Sequence, residues 1–96
     1  MIVLNVTYKC KPGMRGEFLQ KISVEGIDFA SRQEEGNIKY DYYLAAADED
    51  ELVLIEKWKD AEAIAVHGGQ AHYARLGELK KEFVEKTDIE RFEKAE

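Results

Sequence analysis

The chain has 96 residues, 45% of them hydrophobic and 35% charged, with 14 Lys and Arg against 20 Asp and Glu for a formal charge of −6. A single domain of this size buries only about 60–65% of the surface its unfolded chain exposes, so its own core is thin and a core shared with a second copy is favoured. The acidic balance, with no run of Lys and Arg, sets nucleic acid and anionic membrane surfaces aside as partners, and apolar runs no longer than Leu44 to Ala47 and Leu52 to Ile55 fall far short of the roughly 18–20 residues that cross a bilayer.

Ile2, Leu4, Val6, Tyr8 and Cys10 alternate with Val3, Asn5, Thr7 and Lys9, the period of two that marks a strand. The same alternation leaves no continuous apolar stretch for a signal peptide, so a cytoplasmic protein is expected. Lys11-Pro12-Gly13 breaks the strand, because proline has no amide hydrogen for a ladder and glycine tolerates the turn. From Met14 to about Glu35, the residues Phe18, Leu19, Ile22, Phe29 and Ala30 fall on helical spacing and predict a long helix, weakened at Gly26 and closed at Gly36. A strand from Ile38 to Ala47 follows, with Ile38, Tyr40, Tyr42 and Leu44 on one face. After the acidic turn Asp48-Glu49-Asp50-Glu51 its hairpin partner runs from Leu52 to Lys59. Asp60 is placed to cap a short helix from Ala61 to about His67, which Gly68-Gly69 ends. A further helix from Ala71 to Glu85 carries Tyr73, Leu76, Leu79, Phe83 and Val84 on one stripe, and Thr87 to Phe92 reads as a last strand.

The order β-α-β-β-α-β predicts an α+β domain of ferredoxin-like architecture over residues 1–96, a four-stranded antiparallel sheet with helices on one face. In the strand from Leu52, the residues Leu52, Leu54 and Trp58 alternate with Val53 and Ile55, so both of its faces are partly apolar. Helices cover only one. The simplest cover for the other is the same face of a second copy, which predicts a homodimer packed sheet to sheet.

His67 and His72 flank the Gly68-Gly69 break. Their spacing of five is not that of a helical metal pair and no third ligand stands near them in the sequence, so no metal is expected. Each is a candidate acid or base, since imidazole titrates near neutral pH, or else a group that closes a helix end. Tyr40, Tyr42, Tyr43, Trp58 and Tyr73 offer ring faces with polar tips, which line pockets for flat ligands and also fill cores. Glu56 stands in mid-strand among apolar residues, where a carboxylate is costly unless paired. It is either half of an ion pair or a second acid-base candidate. Asn5 can orient a ligand oxygen or sit exposed, and Cys10, the lone cysteine, reads as a small hydrophobe. GxSxG, GxxxxGK[ST] and GxGxxG are all absent, so neither flavin nor nicotinamide is indicated and no cofactor is expected.

Glu34-Glu35-Gly36-Asn37 leading into Tyr40-Asp41, then Leu54-Ile55-Glu56-Lys57-Trp58, then Ala63 through His67 to His72-Tyr73, resemble the antibiotic biosynthesis monooxygenase (ABM) domain over nearly the whole chain. The resemblance implies a dimeric α/β barrel of two ferredoxin-like protomers, each with a pocket between its own sheet and helices. Relatives in that family include small oxygenases that oxidise quinol-like or polyketide-like aromatic substrates with O₂ and without metal or flavin. On that resemblance His67 or His72 is the base that removes a phenolic proton, while Tyr42, Trp58 and Tyr73 hold the ring, with Asn5 and Glu56 as further substrate contacts. The family also has a branch that isomerises a phosphorylated autoinducer-2 ketone, for which Lys39, Arg32 or Arg75 would be the cationic anchor. A third branch degrades haem, but its ligating histidine falls near Gly77 and its tryptophan near His67, so the resemblance fails there. The remaining alternative is a small-molecule-binding or stress-response module that uses the same aromatics without turnover.

Overall fold

The chain runs β1 (Ile2–Cys10), α1 (Arg15–Val24), α2 (Ile27–Arg32), β2 (Asn37–Leu44), β3 (Glu51–Trp58), α3 (Ala61–Gly68), α4 (Ala71–Phe83) and β4 (Val84–Glu93) in a computed structural model that describes residues 1–95. The four strands form one sheet in the order β2-β3-β1-β4, and each neighbouring pair is antiparallel. This is the ferredoxin-like βαββαβ arrangement expected from the order of elements.

Register sorts the side chains between two faces. Leu4 and Tyr40 both pair with Glu56, and Val6 and Tyr42 both pair with Leu54, so these residues share one face. That face packs on the helices. Val6, Tyr8, Tyr40, Leu54 and Trp58 from the sheet join Phe18, Ile22, Ile27, Leu76, Leu79 and Phe83 from the helices in one buried core. The other face carries Val3, Asn5, Thr7, Val53 and Ile55, all half-buried. Cys10 belongs to the core and burial pushes its thiol pKa up, which suits the small hydrophobe expected of it.

The helical segment breaks where it was expected to be weak. Gly26 adopts a left-handed φ of 70°, which glycine reaches without a Cβ clash, and the chain restarts as α2 with a new phase. Ile27 and Ser31 therefore turn inward, and Phe29, assigned to the apolar stripe by unbroken spacing, is 63% exposed. A comparable slip affects β2. The ladder to β3 shifts between Asn37 and Lys39, leaving Ile38 exposed, and Leu44 is exposed at the end of this edge strand. At the other end of the chain α4 passes directly into β4 at Val84, whose backbone is already extended, so this strand is longer at its start than Thr87 to Phe92.

Asp60 caps α3 as expected, accepting a 2.9 Å hydrogen bond from the Ala63 amide. The acidic turn before β3 ties the hairpin to the loop after β1: Lys9 pairs with Asp48 at 2.5 Å and the Gly13 amide donates to Asp50 at 3.0 Å. Gly36 does more than close a helix. Its carbonyl accepts from the Lys59 amide at 2.9 Å, and a Cβ built on it would lie 2.3 Å from the Cβ of Ala63. The loop before β2 thus presses on α3 at a separation only glycine allows.

Gly36→Ala is expected to force these two backbones apart at a cost of about 1–3 kcal/mol, the usual range for overpacking a tight contact. Urea denaturation measures the loss, and Ala63→Gly in the same chain is expected to recover part of it.

Candidate functional site

A cavity of about 270 Å³ lies between the sheet and the helical layer. Its sheet wall is Leu4, Val6, Tyr8, Tyr40 and Glu56 with Thr87 and Ile89 of β4, and its helical wall includes Ile64 and His67 of α3 and Tyr73, Gly77 and Lys80 of α4. Tyr73 and Ile89 are exposed and mark the mouth. On α4, Tyr73, Gly77 and Lys80 stand at i, i+4 and i+7, a single stripe. At Gly77 a Cβ would meet no atom within 4 Å, so the missing side chain leaves the cavity open.

His67 is positioned from behind. The Gly36 contact brings Glu34, in the loop between α2 and β2, against the ends of α3 and α4. There one carboxylate oxygen, Oε2, lies 2.5 Å from His67 Nδ1 and 2.8 Å from His72 Nε2. An ionised Glu34 accepts Nδ1–H from His67, which leaves Nε2 as the nitrogen with the free lone pair. That nitrogen has no hydrogen-bond partner among the described residues, on a side chain that lines the cavity. The imidazole is also clasped by rings: its centroid lies 4.6 Å from Trp58, 5.2 Å from Tyr73 and 5.8 Å from Tyr40.

Glu56 faces the same space and is only 7% exposed. Trp58 Nε1 donates to its Oε1 at 3.0 Å. Burial raises the Glu56 pKa, the Trp58 hydrogen bond and the His67 ring act in the opposite direction, and the Glu34 carboxylate adds to the rise. Burial pushes the pKa of Lys80 down and those of the Tyr8 and Tyr40 hydroxyls up. The wall therefore holds a carboxyl biased toward its neutral form, an ammonium biased toward its neutral form and two phenols kept as donors.

A model of the antibiotic biosynthesis monooxygenase family matches residues 1–79. The chain belongs to that family. A Bacillus subtilis relative named "Putative monooxygenase YcnE" is 41% identical over 73 residues, covering 76% of this chain and 75% of the relative. The fold of this ABM domain recurs in a solved structure from Nitrosomonas europaea described as a "putative antibiotic biosynthesis monooxygenase", with a TM-score of 0.86, 24% identity and 98% coverage of both chains. A Bacteroides thetaiotaomicron structure, described as a protein of unknown function and possible oxidoreductase, matches with a TM-score of 0.83 at 28% identity, covering 95% of this chain and 94% of that one.

Within this ABM domain the residues singled out from sequence separate. His67, Glu56 and Tyr73 line the cavity. His72 does not; it meets Glu34 from the far side. Trp58 is fully buried beneath the cavity lining, holding Glu56 and stacking near His67. Tyr42 lies edge-on to Tyr40 at 5.8 Å, outside the lining, with its buried hydroxyl unpartnered. Asn5 is misplaced by the sequence expectation: it pairs with Ile55 and Glu90 on the opposite face of the sheet and cannot reach the cavity. The supposed anchors are engaged elsewhere. Arg75 forms two bonds to Glu25 at 2.6 and 2.9 Å, Arg32 donates to the Tyr40 carbonyl, and Lys39 lies over Tyr43. The cation that faces the cavity is Lys80, which shares the stripe of Tyr73 and Leu76 but whose charge ordinarily sends a side chain to water. Glu34 was visible only as a family signature, because an acidic residue at a helix end ordinarily points to water. No third metal-type donor stands near the histidines in the sequence, but the fold brings one to them: donor atoms of Glu34, His67 and His72 all lie within 4.8 Å of one another.

Gly77→Ala is expected to stabilise α4 by up to about 1 kcal/mol, the propensity gap between glycine and alanine, while narrowing the cavity. Thermal denaturation and ligand affinity would move in opposite directions. For Glu56, a folded pKa above the unfolded one means that the folded state binds more protons between the two values, so stability falls as pH rises from the unfolded carboxylate range through the raised pKa. Glu56→Gln is expected to flatten that decline in urea titrations run from about pH 4 to pH 8, a range that starts near the ordinary glutamate pKa.

Proposed function

We propose that this ABM domain is a monooxygenase that oxidises a small quinol-like or polyketide-like aromatic substrate with O₂, with His67 as the base that takes the phenolic proton. The observation that carries this reading is the Glu34-held imidazole on the wall of a cavity lined by aromatic rings. Removing the proton from a dihydroxyaromatic ring makes an electron-rich anion, the form able to pass an electron to O₂. A largely apolar cavity keeps water from competing for that anion. Glu34 fixes the tautomer and offsets the charge of the imidazolium once the proton has arrived, the role a carboxylate plays behind any catalytic histidine. Tyr73 at the mouth and Tyr40 on the floor offer ring faces, and Tyr8 offers a neutral hydroxyl to a substrate oxygen. Trp58 acts through Glu56 and His67 rather than on the substrate.

Lys80 supports a second reading, because a cationic side chain in the wall is what a phosphorylated ketone would require of an isomerase. Glu56, on the sheet wall of the same cavity, opposes it, since an acidic group in the lining is a poor neighbour for a phosphate. A homodimer is part of the proposal too. Val3, Val53 and Ile55 on the open sheet face, with Phe92 of β4 paired to Val3 and 48% exposed, form an apolar area that a second copy would cover.

Oxygen uptake with a panel of hydroquinones tests the chemistry. His67→Ala is expected to lower kcat/KM by roughly 10²–10⁴-fold, the usual worth of a positioned base. His72→Ala is expected to cost less, since His72 does not line the cavity and meets His67 only through the shared Glu34 oxygen and a ring contact at 5.7 Å. Ligand binding without oxygen uptake would make the domain a binding module, and a shifted phosphosugar product seen by NMR would make it an isomerase. Light scattering is expected to give a dimeric mass that Ile55→Lys reduces to a monomer.

A further inference from the structure

The cluster that orients His67 is also a set of metal donors, and we propose that Glu34, His67 Nδ1 and His72 Nε2 form a binding site for a divalent transition-metal ion of the zinc type. Two imidazoles and one carboxylate suit zinc, cobalt, nickel and iron better than magnesium or calcium, which prefer oxygen alone. The three side chains arrive from three separate elements and are 10%, 6% and 16% exposed for Glu34, His67 and His72 respectively, so the site is already assembled and largely dry. A tetrahedral ion with bonds of about 2.0–2.2 Å sets its ligands roughly 3.3 Å apart. The present contacts of 2.5 and 2.8 Å need to open by less than about 1 Å to admit it.

An independent observation concerns the second oxygen of the same carboxylate. Glu34 Oε1 is buried and has no hydrogen-bond partner, and the carboxylate pairs with no Lys or Arg among the described residues. A buried carboxyl group with one oxygen unpartnered and no cationic side chain beside it is poorly satisfied, and a divalent ion supplies the missing partner. Glu34 also lines a second depression of about 210 Å³, which Glu35, Asp60 and Glu62 share with a single cation, Lys59, paired to Glu35 at 3.8 Å. Its net negative charge raises the local concentration of cations beside Glu34.

The location decides what such an ion does. Glu34 and His72 do not line the main cavity, so an ion held there is separated from a bound substrate by the imidazole of His67. It is a controlling ion rather than a reacting one. Neutral His67 binding through Nδ1 must carry its proton on Nε2, so loading the site shifts the tautomer and removes the lone pair that faces the cavity. This consequence rests on His67 being the base, whereas the binding itself does not.

The experiment uses the full chain stripped with EDTA. Zinc titrated by calorimetry is expected to bind at one ion per chain, and cobalt(II) is expected to give the visible bands of a low-coordinate site with nitrogen ligands. Glu34→Ala and His72→Gln, checked for folding by circular dichroism, are expected to weaken zinc at least tenfold. No saturable binding, or binding that both variants leave unchanged, would overturn the site. With hydroquinone, zinc is expected to stop oxygen uptake by the stripped enzyme at one equivalent. Uptake that persists in the presence of bound zinc overturns the tautomer control. Stoichiometric zinc binding by a protein that never consumes oxygen upholds the site and overturns the oxygenase reading instead.

Discussion

Glu34 must reach two histidines on two different helices, and it does so only because the backbone at Gly36 lies against Ala63 more closely than any side chain would permit. The contact is short in sequence terms: one residue, Glu35, separates the glycine from the carboxylate. The Lys59 amide fixes the Gly36 carbonyl and the Glu34 carbonyl accepts from Asn37, so the loop is pinned on both sides of its closest approach. The consequences run through the whole site. His67 gains its orientation, its imidazole lines the cavity, and the ends of α3 and α4 are joined across the Gly69-Gln70 break by one shared oxygen.

The second constraint is the cost of Glu56. A carboxyl in the middle of a buried strand survives by accepting from Trp58 and by shifting toward its neutral form. A protein selected only for stability would place a hydrophobe there, since leucine or valine would fill the same position with no desolvation cost. Gly77 makes the same point from the helical side, because alanine would strengthen α4 at no steric cost. The cavity is therefore maintained against both local propensity and burial energetics, and polar groups line it from both the sheet and the helices.

The sheet, the helical layer and the core were legible in the sequence because they depend on period and on burial, and each strand and helix stands within a few residues of its expected place. What failed was local. A single left-handed glycine reset the phase of the helix before β2 and put Phe29 in water, and a shifted register did the same to Ile38, since periodicity counts residues without knowing where the backbone is reset. The site was half legible. His67, Glu56 and Tyr73 announced themselves as titratable or aromatic groups in unusual positions. Asn5 could not be assigned a face by its polarity, because the two sheet faces differ by only one residue of register. Glu34 and Lys80 were hidden by their own chemistry: charged residues near helix surfaces are normally solvated, and only the tertiary contacts at Gly36 and along the Tyr73-Gly77-Lys80 stripe turn them inward.

The two nitrogens of His67 face two different environments, and this gives the ring a place in both. Nδ1 belongs to a dry cluster with Glu34 and His72, and Glu34 also lines a depression with an acidic rim; the ring itself lines an aromatic cavity. In a neutral imidazole the two positions share one proton, so whatever occupies the Glu34 side determines whether the cavity side donates or accepts. No helix has to move for that information to cross the ring. A packed interior between Trp58, Tyr40 and Tyr73 holds the imidazole in place while its hydrogen-bonding sense changes, which makes tautomer exchange a cheaper coupling between the two spaces than any displacement of backbone.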